Sequence, residues 1–369
     1  MRIVATIAGC FLLVTVVVDS FQTVILARRA NRKWRITRAF YLSTWTVFAA
    51  IARRIKSDRR RETYLGVFGA LSLVSLFALW GCGLVLAFAL LQWAAQAQLL
   101  DSSTSFANDL YYSAATFFTL GSAEPGTFWV KLLIVSEVGL GYSFLALVIS
   151  YLPVFYGSFS QRELRIALLD ARAGSPPVTS ELLLRQGTNP DKFERQLADW
   201  EEWGAELLES HLSYPVLSYF RSQHSNQSWL GTLTTIVDAS AVVMVASKAD
   251  LRLQAEVTFA IGQHALKDLT AIFRKTPRPP HADRLPAEDF ARLRTVLASG
   301  PVQLQFDDAS EEKLRKLRAA YEPYANALSH HFMMPLPRWI PAGAVNHNWQ
   351  IAIPARPALF GSRSESSTS

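Results

Sequence analysis

From Tyr64 to Leu100 the chain runs for 37 residues without a charged side chain. About 20 predominantly apolar residues suffice for a helix to cross the hydrocarbon core of a bilayer, so this stretch is a membrane span with length to spare for tilt. Two further runs satisfy the same criterion. Ile3 to Ala27 covers 25 residues interrupted by Asp19 and Gln22, and Leu132 to Tyr156 covers 25 residues with Glu137 as its one charge. The first run reads as a retained span and not a cleaved signal peptide, because only Arg2 precedes it while six basic residues follow between Arg28 and Arg38. Basic residues beside spans are held on the cytoplasmic side. Three spans then put the N-terminus outside and all basic clusters, with Arg162 and Arg165, inside, which implies a multi-pass cell-membrane protein.

The formal charge of +7 does not call for nucleic acid: of 37 Lys and Arg, six lie in Arg28 to Arg38 and six in Arg53 to Arg61, flanking apolar segments. The partner they imply is the lipid bilayer. Between them, Ala39 to Ala52 is apolar but only 14 residues long. It reads as an interfacial helix with Trp45 at headgroup depth, the alternative being a connector buried against the bundle. Cys10 and Cys82 both fall in apolar runs, so neither a disulfide framework nor a thiolate metal site is expected. After Gly157 the charges thicken into a globular mixture. The expected domains are 1–61, an N-terminal span and basic interfacial segment; 62–157, a pore-like membrane unit; 158–360, a helical cytoplasmic domain; and 361–369, a small polar tail.

The segment between the second and third spans carries the chemistry. Asn108 to Phe118 can form a helix, bounded by Ser102 to Ser105 before it and by Gly121, Pro125 and Gly126 after it. Eleven residues rise only about 16 Å, roughly half a bilayer, so the helix must enter and return on one face. Non-helical backbone at that depth is tolerated where it is buried in protein or lines a water-filled cavity. A dehydrated cation needs replacement oxygens, which a threonine and successive carbonyls can supply as stacked rings. Thr119 offers the hydroxyl, and Gly121 the backbone freedom to turn carbonyls inward. No Lys or Arg occurs from Glu62 to Val130, while Asp101, Asp109 and Glu124 lie on the expected outer side. Such charge raises cation concentration at a mouth and repels anions.

The run Tyr112-Ser-Ala-Ala-Thr116-Phe-Phe-Thr119-Leu120-Gly121 resembles the pore loop of the tetrameric potassium-channel superfamily, in particular its bacterial two-helix pore modules. The resemblance covers about Leu65 to Tyr156 and extends to Glu137 and Gly141 in the third span. It implies an all-α membrane pore module of outer helix, re-entrant pore helix with filter, and inner helix. Further implications are a homotetramer, an ion filter of Thr119, Leu120, Gly121, Ser122 and Ala123, and a mouth carrying Asp109 and Glu124. Thr116 and Glu137 would support the filter, with a monovalent cation, potassium in the first instance, as permeant ion and no cofactor. Where the family has Tyr-Gly-Asp this chain has Ser122-Ala123-Glu124. A potassium pore, a less selective cation pore and a pore that no longer conducts all stay open.

Glycine and proline are the usual sites of helix bending, which makes Gly141 and Pro153 candidate gating hinges, with close helix packing the alternative. No apolar helix carries arginine at every third position, so no voltage sensor is expected. Ser158 to Ala173 reads as an amphipathic continuation of the third span, with Leu164, Ile166, Leu168 and Leu169 on its apolar side. Asn189-Pro190 starts a helix with Phe193, Leu197, Trp200, Leu207 and Leu208 on one face. Trp229 to Ser247, charged only at Asp238, reads as a buried core helix and not a fourth span, and Leu251 to Phe273 and Ser310 to His330 continue the helical pattern. No Gly-x-Gly-x-x-Gly follows a strand, so a nucleotide-binding regulatory domain is not expected and the gating ligand stays unidentified. Histidines 211, 224, 264, 330 and 331 match no metal spacing, and no constellation supports an enzyme. The function expected is the pore-forming subunit of a cation channel gated through a cytoplasmic helical domain; the alternative is a non-conducting membrane receptor or scaffold that retains the architecture.

Overall fold

The computed structural model describes residues 2–26, 35–95, 105–121, 127–185, 189–224, 226–247, 249–280, 282–300, 304–341 and 343. Among them the fold is all-helical, with no strand: α1 (Arg2–Val24), α2 (Ile36–Ala52), α3 (Asp58–Ala95), α4 (Phe106–Phe117), α5 (Phe128–Ala173), α6 (Thr179–Leu184), α7 (Pro190–Ser213), a 3-10 turn (Pro215–Tyr219), α8 (Trp229–Ala246), α9 (Ala249–Ile272), α10 (Ala287–Ala298) and α11 (Ser310–Phe332). Four of them, α1, α3, α5 and α8, are long and apolar enough to cross a bilayer. This is a membrane protein. The tail 361–369 lies outside the described residues.

α1 packs along α3, and the polar break in its sequence explains how. Asp19 is buried there, accepting hydrogen bonds from the Thr37 amide (3.0 Å) and hydroxyl (2.5 Å) and from the Trp80 indole (3.0 Å). Arg35 Nε stands 3.6 Å from its other oxygen. An ionised group in an apolar bundle is tolerated only when paired in this way, so Asp19 ties α1 to α3 and to the start of α2.

α2 departs from expectation. Trp45 is buried within the protein, as the connector alternative has it, its indole donating to the His331 carbonyl at 3.0 Å and its ring meeting Phe68 and Tyr219 at 4.9 and 5.1 Å. An indole that finds both aromatic neighbours and an acceptor gains more inside than at an interface. α2 is therefore clamped between α3 and the C-terminal half, leaving Leu42, Val47 and Ile51 outside.

α5 is one continuous helix of 46 residues, about 69 Å at 1.5 Å per residue. It runs through Pro153 and joins the third span to the helix expected after it. Its buried residues form one seam: Val130, Glu137, Gly141, Tyr151, Phe155, Phe159, Arg162, Ile166, Leu169, Asp170 and Ala173. Steps of three and four along most of this list are the spacing of a single helix face. Leu164 and Leu168, expected on the apolar side, are exposed, while Arg162 is on the buried one. The arginine is paired throughout: it donates to the carbonyls of Leu217 (2.8 Å) and Phe220 (3.1 Å), bridges to Glu163 (2.9 Å) and lies over the Phe159 ring. The 3-10 turn is thereby fastened to α5, and Phe220 packs against Gly69 of α3.

In the C-terminal half, α8 is enclosed by its neighbours α6, α7, α9 and α11, and every residue from Trp229 to Val243 is buried. Its one charge, Asp238, is neutralised by Arg284 (2.5 Å) and bonded to the Tyr321 hydroxyl; Arg284 also bridges to Glu322 (2.9 Å) and donates to the Pro337 carbonyl (2.9 Å). α7 begins as expected, with the Asn189 side chain accepting from the amides of Asp191 and Lys192. That bond satisfies amides otherwise left open at a helix start.

Candidate pore loop and its support

α4 spans 12 residues, about 18 Å, and packs on α3 and α5. Its buried side is Ser113, Ala115, Thr116 and Phe117. Three polar side chains meet behind it, one from each helix. Glu137 of α5, fully buried, accepts from the Gln92 amide of α3 at 2.7 Å and from the Ser113 hydroxyl of α4. Ser113 Oγ is also 2.8 Å from the Val85 carbonyl. No basic residue takes part. The carboxylate is held by hydrogen bonds alone, which ties the register of α4 to both long helices.

A second contact fixes the far end of α4. A Cβ on Gly141 would lie 2.8 Å from the Phe117 carbonyl oxygen, so α5 approaches the last turn of α4 as closely as a helix without a side chain can. Phe117 is buried there against Phe144 at 6.1 Å. Beyond it the backbone reverses. The Thr119 amide donates to Thr116 (3.0 Å) and the Leu120 amide to Ala115 (2.8 Å). Thr119 takes φ +57° and Gly121 φ +111°. Positive φ is uncommon for a β-branched residue, and departures of this kind cluster where function over-determines the backbone; at Gly121 the missing Cβ makes the conformation free of cost.

The structure thus places Thr116, Thr119, Leu120 and Gly121 at the end of α4 with Gly141 against its last turn, Glu137 behind Ser113, and Asp109 in its first turn. Ser122, Ala123 and Glu124 lie outside the described residues. Pro153 is on the exposed side of α5, away from this cluster in sequence and on a continuous helix. Gln92 and Ser113 carry no sequence signal as partners of Glu137: one is an isolated polar residue in an apolar run, the other a small hydroxyl among alanines. Thr119, Leu120 and Gly121 are exposed in the single chain, as are Tyr142, Leu145, Ile149 and Val154 along α5. Only 11% of the most apolar window of α5 is buried, against 50% in α3.

Among the described residues no group of three His, Cys, Asp or Glu could hold a metal ion. His211 is instead sealed beside Trp229, donating to or accepting from neighbours only within its own helix. Burial first, and the charge of Arg162 second, push its imidazole down to about 3. Compared with protein-family models, with curated proteins and with solved structures, the chain matches none.

Proposed function

We propose that the chain is the pore-forming subunit of a homotetrameric cation channel. The observation that carries it is the half-bilayer helix α4, tied from behind by Glu137, Ser113 and Gln92 and ending in the left-handed backbone of Thr119 and Gly121. The negative end of the α4 dipole lies at that same turn, where a cation gains and an anion loses. One chain leaves the loop and the outer face of α5 uncovered; four copies around an axis would cover the loop and close the path, with the remaining apolar face against lipid. On this account α1, α3 and α5 span the cell membrane, α8 does not, the N-terminus is outside and α6 to α11 are cytoplasmic. Gating passes along α5, since one helix leads from the loop to Arg162 and its grip on the 3-10 turn. Potassium is the first candidate for the permeant ion.

The test uses purified protein in liposomes with potassium and sodium gradients imposed in turn, after its mass in native-like lipid is measured. A tetramer with cation flux is expected. Equal flux of both ions would remove potassium selectivity but keep the channel. A monomer or dimer, or no flux over a range of pH and calcium, would point to a receptor or scaffold acting through the C-terminal half.

A further inference from the structure

A cavity of about 310 Å³ opens between α2, the turn after α9, and α11, at the small end of the roughly 300–1,000 Å³ typical of small-molecule sites. Its charged lining is Arg53, Lys275 and Arg278, with no carboxylate among the described lining residues. None of the three cations pairs with an acid elsewhere among the described residues, although the chain makes ion pairs freely on other surfaces. The rest of the wall is mixed. Leu42, Trp45 and Ala49 make an apolar side, and His330 and His331 face it from α11. The frame is firm: Trp45 is bonded to the His331 carbonyl, and the Arg278 amide donates to the Pro323 carbonyl at 2.8 Å.

Three like charges converging on one hollow repel each other, and the cost falls when an anion enters. The field is felt locally: after burial itself, Lys275 and His330 push the His331 imidazole down to about 3. A neutral His331 can offer a hydrogen bond to a ligand without adding to the repulsion. The apolar side opens outward at Leu42, which is 45% exposed. Cations at one wall and Leu42, Trp45 and Ala49 at the other suit a molecule with an anionic head and an apolar tail.

We propose that this cavity binds the phosphate of an anionic amphiphile, with Lys275, Arg278 and Arg53 on the phosphate and the Leu42, Trp45 and Ala49 side of α2 against the start of the tail. The source is a membrane lipid, or a soluble phosphate ester that uses the head subsite alone. The site does not depend on whether the pore conducts.

Native mass spectrometry of the full-length protein in detergent tests it with three probes: dioctanoyl phosphatidic acid, its zwitterionic phosphatidylcholine counterpart and glycerol 3-phosphate. Saturable binding of phosphatidic acid above the other two is expected and assigns a lipid source; equal binding of glycerol 3-phosphate assigns a soluble one. In either case the double variant Lys275→Gln/Arg278→Gln loses roughly tenfold in affinity for each cation removed, and Arg53→Gln provides an independent single variant. A control pair on the exposed side of α11, Arg315→Gln/Lys316→Gln, leaves affinity unchanged, and melting without probe verifies that each variant is folded. Binding of neither anionic probe, no loss in the double variant, or equal loss in the control pair overturns the proposal.

Discussion

Replacing Glu137 with alanine removes an acceptor that links α3, α4 and α5 behind the loop. Two hydrogen bonds to the carboxylate disappear, the Gln92 amide is left buried without its partner, and the space of the side chain opens, while the one Ser113 proton is free to turn to the Val85 carbonyl. A hydrogen bond to a charged group contributes about 1.5–3 kcal/mol, and an orphaned buried donor costs about 1–3 kcal/mol. Against this stands the relief of no longer burying a carboxylate. The net local loss is on the order of 2–4 kcal/mol, which is roughly 30-fold or more in the opening equilibrium of the α4 end. Hydrogen exchange at the amides of 113–121, measured in detergent or nanodiscs, reads this directly. Glu137→Gln retains the shape and one acceptor oxygen and is expected to cost about 1 kcal/mol. Unchanged exchange in Glu137→Ala, or equal damage from the glutamine variant, would refute the idea that this carboxylate braces the loop.

Three other outcomes follow from the packing. Gly141→Ala puts a Cβ at 2.8 Å from the Phe117 carbonyl oxygen, so about 1–3 kcal/mol of overpacking strain should raise exchange at 117–121, whereas Gly139→Ala, which meets nothing within 4 Å, should not. Arg284→Met leaves Asp238 buried without its cation and should lower unfolding stability by about 3–5 kcal/mol, partly restored by adding Asp238→Asn. His211, normally near 6.5, is held down to about 3 in the fold. As pH falls from 6.5 toward 3 the unfolded chain takes up a proton that the native state refuses, so stability is lost by about 1.4 kcal/mol per pH unit from this group. The stability of a His211→Gln variant should fall less steeply in that window, and identical slopes in denaturant titrations would contradict the assignment.

How much of this was legible beforehand depends on what each element offers to a one-dimensional reading. α1, α3 and α5 each contain a long run with at most one charged residue, and hydrocarbon imposes one requirement along such a run. α7 announces its start through Asn189-Pro190, and α8 its burial through flanks that carry no strong basic cluster. What the sequence could not show are pairings between distant residues. Trp45 is an ordinary interface residue until His331 and Tyr219 arrive from about 170 to 290 positions away; Arg162 looks like a topology marker until the carbonyls of Leu217, in the 3-10 turn, and of Phe220, just after it, accept from it. The loop is an intermediate case. Its residues Thr119 and Gly121 are conspicuous, but the Gln92–Glu137–Ser113 tie joins three helices and leaves no local pattern.

The most direct test of the channel account is cation flux into liposomes carrying wild-type protein or Gly121→Ala. At φ +111° an alanine is strained whatever space surrounds it, so the backbone of the loop must change. The account predicts flux in the wild type and its loss in a variant that keeps the wild-type assembly size. Flux that survives Gly121→Ala undiminished would contradict the claim that the loop lines the ion path.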